Sequence, residues 1–233
     1  MTEDQQADNG LFITLVEQDR SERRRYRIYA GGEEPILFVH EDLLIRYRLL
    51  KGQFVDPALL PVIQEEDDRH RAYTLACVYL GAKPRTSKQI EQYLRRKELG
   101  ESHIAYALQR LETEHYVDDE EYARQFAKQR IRTAQKGSRL VKQELQQRGI
   151  SRQAAEEAVN AIDAGAELAA AKAAAAKRWR GLKGELPDRK RKLTAFLMRR
   201  GFAGDLIREA VRSAAADGID SDEDAEDGLM LDN

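Results

Sequence analysis

Leu145-Gln146-Gln147-Arg148-Gly149-Ile150 and, 52 residues later, Leu197-Met198-Arg199-Arg200-Gly201-Phe202 read as two copies of one helix ending. In each, an arginine precedes a glycine and an apolar residue follows it. The residue just past a helix often takes positive φ, which glycine does at little steric cost, and the apolar residue then packs back on the helix. The match continues at the same offset, Ala155 with Ile207 and Val159 with Val211. A weaker copy lies 51 residues earlier, where Ile90, Leu94, Leu99, Ile104 and Leu108 anticipate Val141, Leu145, Ile150, Ala155 and Val159. That copy departs at its corner: Glu98 stands where the glycines stand, and Gly100 follows two residues later. Periods of this length mark tandem helical units that bury their apolar stripes against one another and present long binding surfaces.

Working outward gives three units of three helices. Helical patterns run from Pro61 to Leu80, from Ser87 (read as an N-cap), and from Glu101 or Ser102. They resume from Asp118 or Asp119 to Gly137, Arg139 to Arg148, and Ser151 to Ile162. The last three run from Ala164 to Arg180, Asp188 to Arg200, and Asp205 to Ala216. Before them the period changes to two. Phe12–Glu17, Tyr26–Ala30 and Ile36–Val39 are strand candidates, joined by the charged run Asp19–Arg25 and a Gly31-Gly32 turn. Such a meander is marginal alone and needs helical cover. Leu43–Leu50 suggests a short helix, and Asp56-Pro57 an N-cap with N1 proline. The fold expected is mostly α, tandem three-helix repeats with a small N-terminal antiparallel β element. The boundaries are 1–62 for the β-containing extension, 63–115, 116–163 and 164–216 for the repeats, and 217–233 for an acidic disordered tail.

The net charge of -2 conceals an asymmetry. Residues 120–215 hold 22 Lys+Arg against 11 Asp+Glu, whereas 216–233 hold none against 8. A basic body attracts a polyanion in a salt-dependent way, although a solvated helical face has a similar composition. The tail either solubilises the chain or competes with DNA for the basic faces. Cys77, the single cysteine, sits in Leu75-Ala76-Cys77-Val78-Tyr79-Leu80 and reads as a core thiol. There is no basic-then-apolar leader and no apolar run near 18 residues, so a cytoplasmic chain without membrane association is expected.

Catalytic chemistry is not visible. His40, His70, His103 and His115 show no zinc-binding spacing, one cysteine cannot form a thiolate cluster, and Gly31-Gly32 lacks the lysine and hydroxyl of a phosphate loop. Asp118-Asp119-Glu120-Glu121 resembles a metal site superficially, but a cap followed by an acidic first turn explains it. No catalytic residue, metal or cofactor is expected. Two basic groups are candidates for contact: Lys128, Arg130, Arg132, Lys136, Arg139 and Lys142, then Arg178, Arg180, Lys183, Arg189, Lys190, Arg191, Lys192, Arg199 and Arg200. Trp179 lies among the second group, either as a base-stacking platform or as a core anchor beside Ala175 and Ala176.

Tyr116-Val117-Asp118-Asp119-Glu120-Glu121-Tyr122-Ala123, followed by Gly137 to Arg148 and Gly149-Ile150, resembles the RecX family of recombination regulators. The residues that carry the resemblance are Tyr116, Asp118, Asp119, Glu121, Tyr122, Ala123, Arg148, Gly149 and Ile150, with Gly201 and Phe202 as the later copy. It covers residues 70–215, and residues 12–60 look like the strand-containing extension of longer members. The resemblance implies a curved, elongated body without enzymatic activity. It implies binding to the RecA recombinase and its filament on single-stranded DNA, restraint of strand exchange and ATP hydrolysis, weak direct DNA binding, a monomeric state, and a place in DNA repair and the SOS response. The alternative from the residues alone is a helical nucleic-acid-binding module with no recombinase partner.

Overall fold

The computed structural model describes residues 10–227. The chain is mostly helical, with tandem three-helix repeats and a small N-terminal antiparallel sheet. It divides into two compact units, one containing residues up to Pro84 together with Ile90–Tyr116, the other Arg85–Gln89 together with Val117 onward.

The first unit begins with five strands: β1 (Leu11–Phe12), β2 (Leu15–Gln18), β3 (Arg25–Tyr29), β4 (Leu37–His40) and β5 (Phe54–Val55). The expected meander is present as the antiparallel order β2-β3-β4, with Val16 opposite Ile28 and Ile28 opposite Leu37. The first strand is shorter than expected, because the chain changes partner within it. Ile13 N donates to Gln53 O (2.9 Å), whereas Thr14 N donates to Tyr29 O (2.9 Å). Leu11 and Phe12 therefore pair with Val55 and Phe54 in a second ladder, so β structure extends beyond the three expected strands. Alternation buries Leu37 and Val39 on one face of β4, where they meet Ile13, Ile28, Leu43, Leu49 and Ile63.

Helix α1 (Glu41–Arg46) and a 3-10 turn (Pro57–Leu59), capped by Asp56 as expected, lead into α2 (Leu60–Ala82). A buried ion pair ties α2 to the sheet. Asp67 accepts from Arg25 Nη2 (2.5 Å) and from His40 N (2.7 Å), and Arg25 also donates to Phe38 O (2.6 Å). Removing one partner of such a pair leaves an uncompensated buried charge, at a cost of about 3–5 kcal/mol. α2, α3 (Ser87–Arg95) and α4 (Glu101–Thr113) make the first repeat, with Ala72, Ala76, Ile90, Leu94, Ile104 and Leu111 buried. The α2 stripe is narrower than its sequence suggests. Val78 is exposed and Cys77 is half-buried rather than a core thiol, because alanines form the contact face.

The second unit holds the remaining repeats: α5 (Asp119–Arg132), α6 (Ser138–Gln147) and α7 (Arg152–Asn160), then α8 (Ala164–Trp179), α9 (Leu186–Arg199) and α10 (Gly204–Asp227). Their apolar stripes form one core that includes Phe126, Ile131, Leu145, Ile150, Trp179, Leu193, Leu197 and Phe202. Asp118, Ser151 and Asp163 cap α5, α7 and α8 through side-chain oxygens. α9 begins with Pro187 in its first turn, slightly earlier than expected, and its N-terminus has no side-chain cap. α10 continues to Asp227 rather than ending at Ala216, so as far as that residue the backbone expected to be a disordered tail is helical. Residues 228–233 lie outside the described residues.

Both glycine corners have the expected geometry, with φ +88° at Gly149 and +83° at Gly201. Space is a second constraint on them. A Cβ on Gly201 would stand 2.3 Å from Leu140 N, and one on Gly149 would stand 2.2 Å from Lys88 Cβ. Glu98 takes φ +60° without being glycine. It is exposed, so its Cβ is accommodated and only conformational strain is left.

Candidate functional site

The acidic motif works as a joint between repeats. Asp118 Oδ1 accepts from Glu121 N (2.8 Å) and so caps α5, while Asp119 Oδ1 accepts from Ser87 N (2.9 Å) at the start of α3. Glu167 of α8 does the same for the start of α6, accepting from Ser138 N (2.8 Å) and from the Ser138 hydroxyl. Beside each carboxylate the same helix start meets the arginine–glycine corner of the following repeat. Thr86 Oγ1 donates to Arg148 O (2.6 Å), and Gly137 N donates to Arg200 O (2.8 Å) with Arg139 N donating to Gly201 O (3.1 Å). Thr86, not Ser87, caps α3, since Thr86 Oγ1 also accepts from Gln89 N (3.2 Å). Tyr122 stacks on Phe126 at 5.9 Å, Ile150 and Phe202 are buried past their corners, and Tyr116 is exposed. Tyr116 aside, the motif residues named here have packing or capping roles.

The basic residues divide into two kinds. Several are engaged inside the fold. Arg130 and Lys136 pair with Glu144, and Lys142 pairs with Glu156 (3.2 Å), whose carboxyl this contact holds below its usual range. Arg189 lies 4.2 Å over the Trp179 ring, which is buried, so Trp179 is a core anchor and not a free stacking platform. Arg200 Nη1 donates to Ala134 O (2.7 Å) and Gln135 O (2.9 Å), closing the end of α5. Lys192 and Arg191 share Asp188, at 2.6 and 2.7 Å, and lower its pKa in that order. Arg178 is exposed and lies 5.7 Å from the Phe196 ring centroid.

The second kind comprises Lys128, Arg132, Arg139, Arg180, Lys183, Lys190 and Arg199. These side chains are exposed and form no ion pair with any described residue. Lys128 and Arg132 are one turn apart on α5, so they share a face of that helix. Arg139 stands in the first turn of α6, Lys190 and Arg199 on α9, and Arg180 and Lys183 between α8 and α9. Long flexible cations without a competing carboxylate can move onto phosphate oxygens, whereas the paired ones must first give up a partner.

Sequence spacing also concealed one cluster. His40, Asp42 and His70 bring three ligand-capable atoms within 4.8 Å of one another. Among the described residues, no helix is long and apolar enough to cross a membrane.

Models of three successive RecX domains match the chain in order: the first three-helix domain at residues 72–111, the second at 118–159 and the third at 166–211. The regulatory protein RecX of Oceanobacillus iheyensis is 34% identical over 142 residues, which is 59% of this chain and 52%, about half, of that protein's length. The regulatory protein RecX of Levilactobacillus brevis is 32% identical over 221 residues, covering 94% of this chain and 81% of the relative. A crystal structure of a regulatory protein RecX superposes with a TM-score of 0.66 at 27% identity, covering 84% of this chain and 97% of that one. A RecX structure from Lactobacillus salivarius gives 0.60 at 25% identity, over 64% and 97%. With its three repeats matched in sequence order and 94% of its own length aligned to one relative at 32% identity, the chain belongs to the RecX family of regulatory proteins.

Proposed function

We propose that this chain is a non-enzymatic regulator that binds the RecA recombinase and its filament on single-stranded DNA, and restrains strand exchange and ATP hydrolysis in recombination and repair. Membership of the RecX family is the observation that carries this reading. The repeats, taken as 63–115, 116–163 and 164–216, serve as the binding body. Lys128, Arg132, Arg139, Arg180, Lys183, Lys190 and Arg199 approach the nucleic-acid backbone, supported by their exposure and their lack of a carboxylate partner among the described residues. Binding at this level positions the chain without reading sequence.

The test is capture by immobilised RecA with and without single-stranded DNA, together with RecA ATP hydrolysis. Preferential binding to the nucleoprotein filament and slower hydrolysis are expected. Equal affinity for naked DNA, with no effect of RecA, would replace this reading by the helical DNA-binding module. Charge reversal at Lys128, Arg132 and Lys190 should weaken filament binding and reduce the salt slope by about 0.7 for each phosphate no longer neutralised. The same change at Arg191 and Lys192, which share Asp188, should have a smaller effect. An unchanged slope in the triple variant would exclude those three residues.

A further inference from the structure

We propose that His40, Asp42 and His70 form a binding site for a divalent first-row transition metal, with Zn²⁺ as the ion best suited to the donors. The proposal is independent of the RecA reading. His40 ends β4 and caps α1, Asp42 lies in the first turn of α1, and His70 stands on α2. The chain separates the histidines by 30 residues, and the fold brings them together.

The distances suit a metal better than hydrogen bonds. His40 Nδ1 and His70 Nε2 each lie 3.3 Å from the same Asp42 oxygen, Oδ2. In a tetrahedral site with bonds of ~2.0–2.1 Å, ligand atoms are separated by about 3.3–3.4 Å. A charge-assisted N–H···O bond would be nearer ~2.7–2.9 Å. The imidazole rings lie with centroids 4.4 Å apart and tilted by 35°, and both reach the one carboxylate. Two imidazole nitrogens and one carboxylate oxygen form a borderline donor set that favours zinc and its neighbours over calcium or magnesium. His40 Nδ1 also accepts from Asp42 N, but at 3.3 Å that bond commits the lone pair only weakly.

Placement and charge support the same conclusion. The His40 backbone is held by Asp67, which lies three residues before His70 on α2. Asp42 and His70 both line a cleft of about 440 Å³ that leaves room for water at a fourth position. The three arginines of that cleft repel a cation less than their number suggests, because Arg46 is paired with Glu66 (3.0 Å), Arg69 with Glu65 (2.9 Å) and Arg110 with Glu114 (2.8 Å). A bound ion would clip α1 to α2.

The experiment uses the untagged full chain, stripped with a chelator and titrated with Zn²⁺ alone by calorimetry. One ion per chain is expected, with the thermal midpoint raised by about 5–10 °C at a hundredfold excess over Kd. Substitution with Co²⁺ should give the visible absorption of a four-coordinate site. Asp42→Asn and His70→Gln should each weaken binding at least about tenfold while leaving the metal-free midpoint unchanged. His103→Gln, which removes the other histidine–carboxylate pairing, with Glu65, should bind as the parent does. No stoichiometric binding, binding retained in Asp42→Asn and His70→Gln, or binding abolished in His103→Gln would each overturn the proposal.

Discussion

Replacing Gly201 by alanine tests whether the corners are set by conformation alone or also by close approach. At φ +83° an L-residue costs about 1–2 kcal/mol relative to glycine. The new Cβ would stand 2.3 Å from Leu140 N and 2.5 Å from Leu140 Cβ. Relief requires the first turn of α6 to retreat by on the order of 1 Å. That movement loosens the bonds from Gly137 N to Arg200 O (2.8 Å) and from Arg139 N to Gly201 O (3.1 Å). At about 1 kcal/mol net for each bond, the total reaches about 3–4 kcal/mol, or roughly 10 °C in Tm for a chain of this size. Gly184→Ala is the control within the same unit. Its φ is +109° and its nearest neighbour, Asp188 Oδ2, is 3.7 Å from the added Cβ, so only the conformational part should be lost. Gly31→Ala matches the φ of Gly201, +83°, with nothing within 4 Å. Denaturant melts of the three variants provide the comparison. If Gly201→Ala costs no more than Gly184→Ala, the close-approach argument fails.

Glu98→Gly should stabilise the chain by about 0.5–1 kcal/mol, because it relieves a positive φ at an exposed position; a loss of stability in the same melts would show that the glutamate side chain contributes more than its backbone costs. The Asp19 carboxyl is lowered from the usual 3.8 to about 2, chiefly by the Ser21 hydroxyl, then by the N–H groups of Glu22 and Ser21, and by Arg27. Its stabilising contribution is therefore complete above pH ~4 and is lost as pH falls through about 2. Side-chain NMR titration should place its midpoint there, and a midpoint near 3.8 would contradict the hydrogen-bonding account.

The repeats were legible because Arg148-Gly149-Ile150 and Arg200-Gly201-Phe202 share one local grammar, and local grammar is what sequence reports most directly. Asp118 as a cap was equally local. Pairings that depend on a distant partner were not legible. β5 is only Phe54-Val55, too short to show alternation, and its pairing with Leu11-Phe12 depends on where the chain folds back. The roles of Asp119 and Glu167 toward Ser87 and Ser138 required knowing which repeat follows which in space. Among the cations, sequence spacing did not separate Lys190 from Arg191 and Lys192, although Asp188 engages only the latter two. The acidic composition after Ala216 suggested an unstructured tail, whereas the helical backbone runs on to Asp227. Spacing along a single element cannot reveal the His40–His70 pair, which joins two.

The carboxylate caps at the joints run in one direction only. Ser87 N is satisfied by Asp119, and Ser138 N by Glu167, so in each case the later repeat completes the helix start of the earlier one. The start of α9 has no side-chain cap, and Pro187 in its first turn, lacking an N–H, leaves one donor fewer to satisfy. Truncation is therefore asymmetric. Removing the third repeat strips α6 of its carboxylate and of the corner it leans on, whereas removing residues before Thr86 takes no cap from α5 through α8. Proline at the first turn of α9 thus does by subtraction what Asp119 and Glu167 do by supplying an acceptor: it lowers the number of helix-start amides left without a partner.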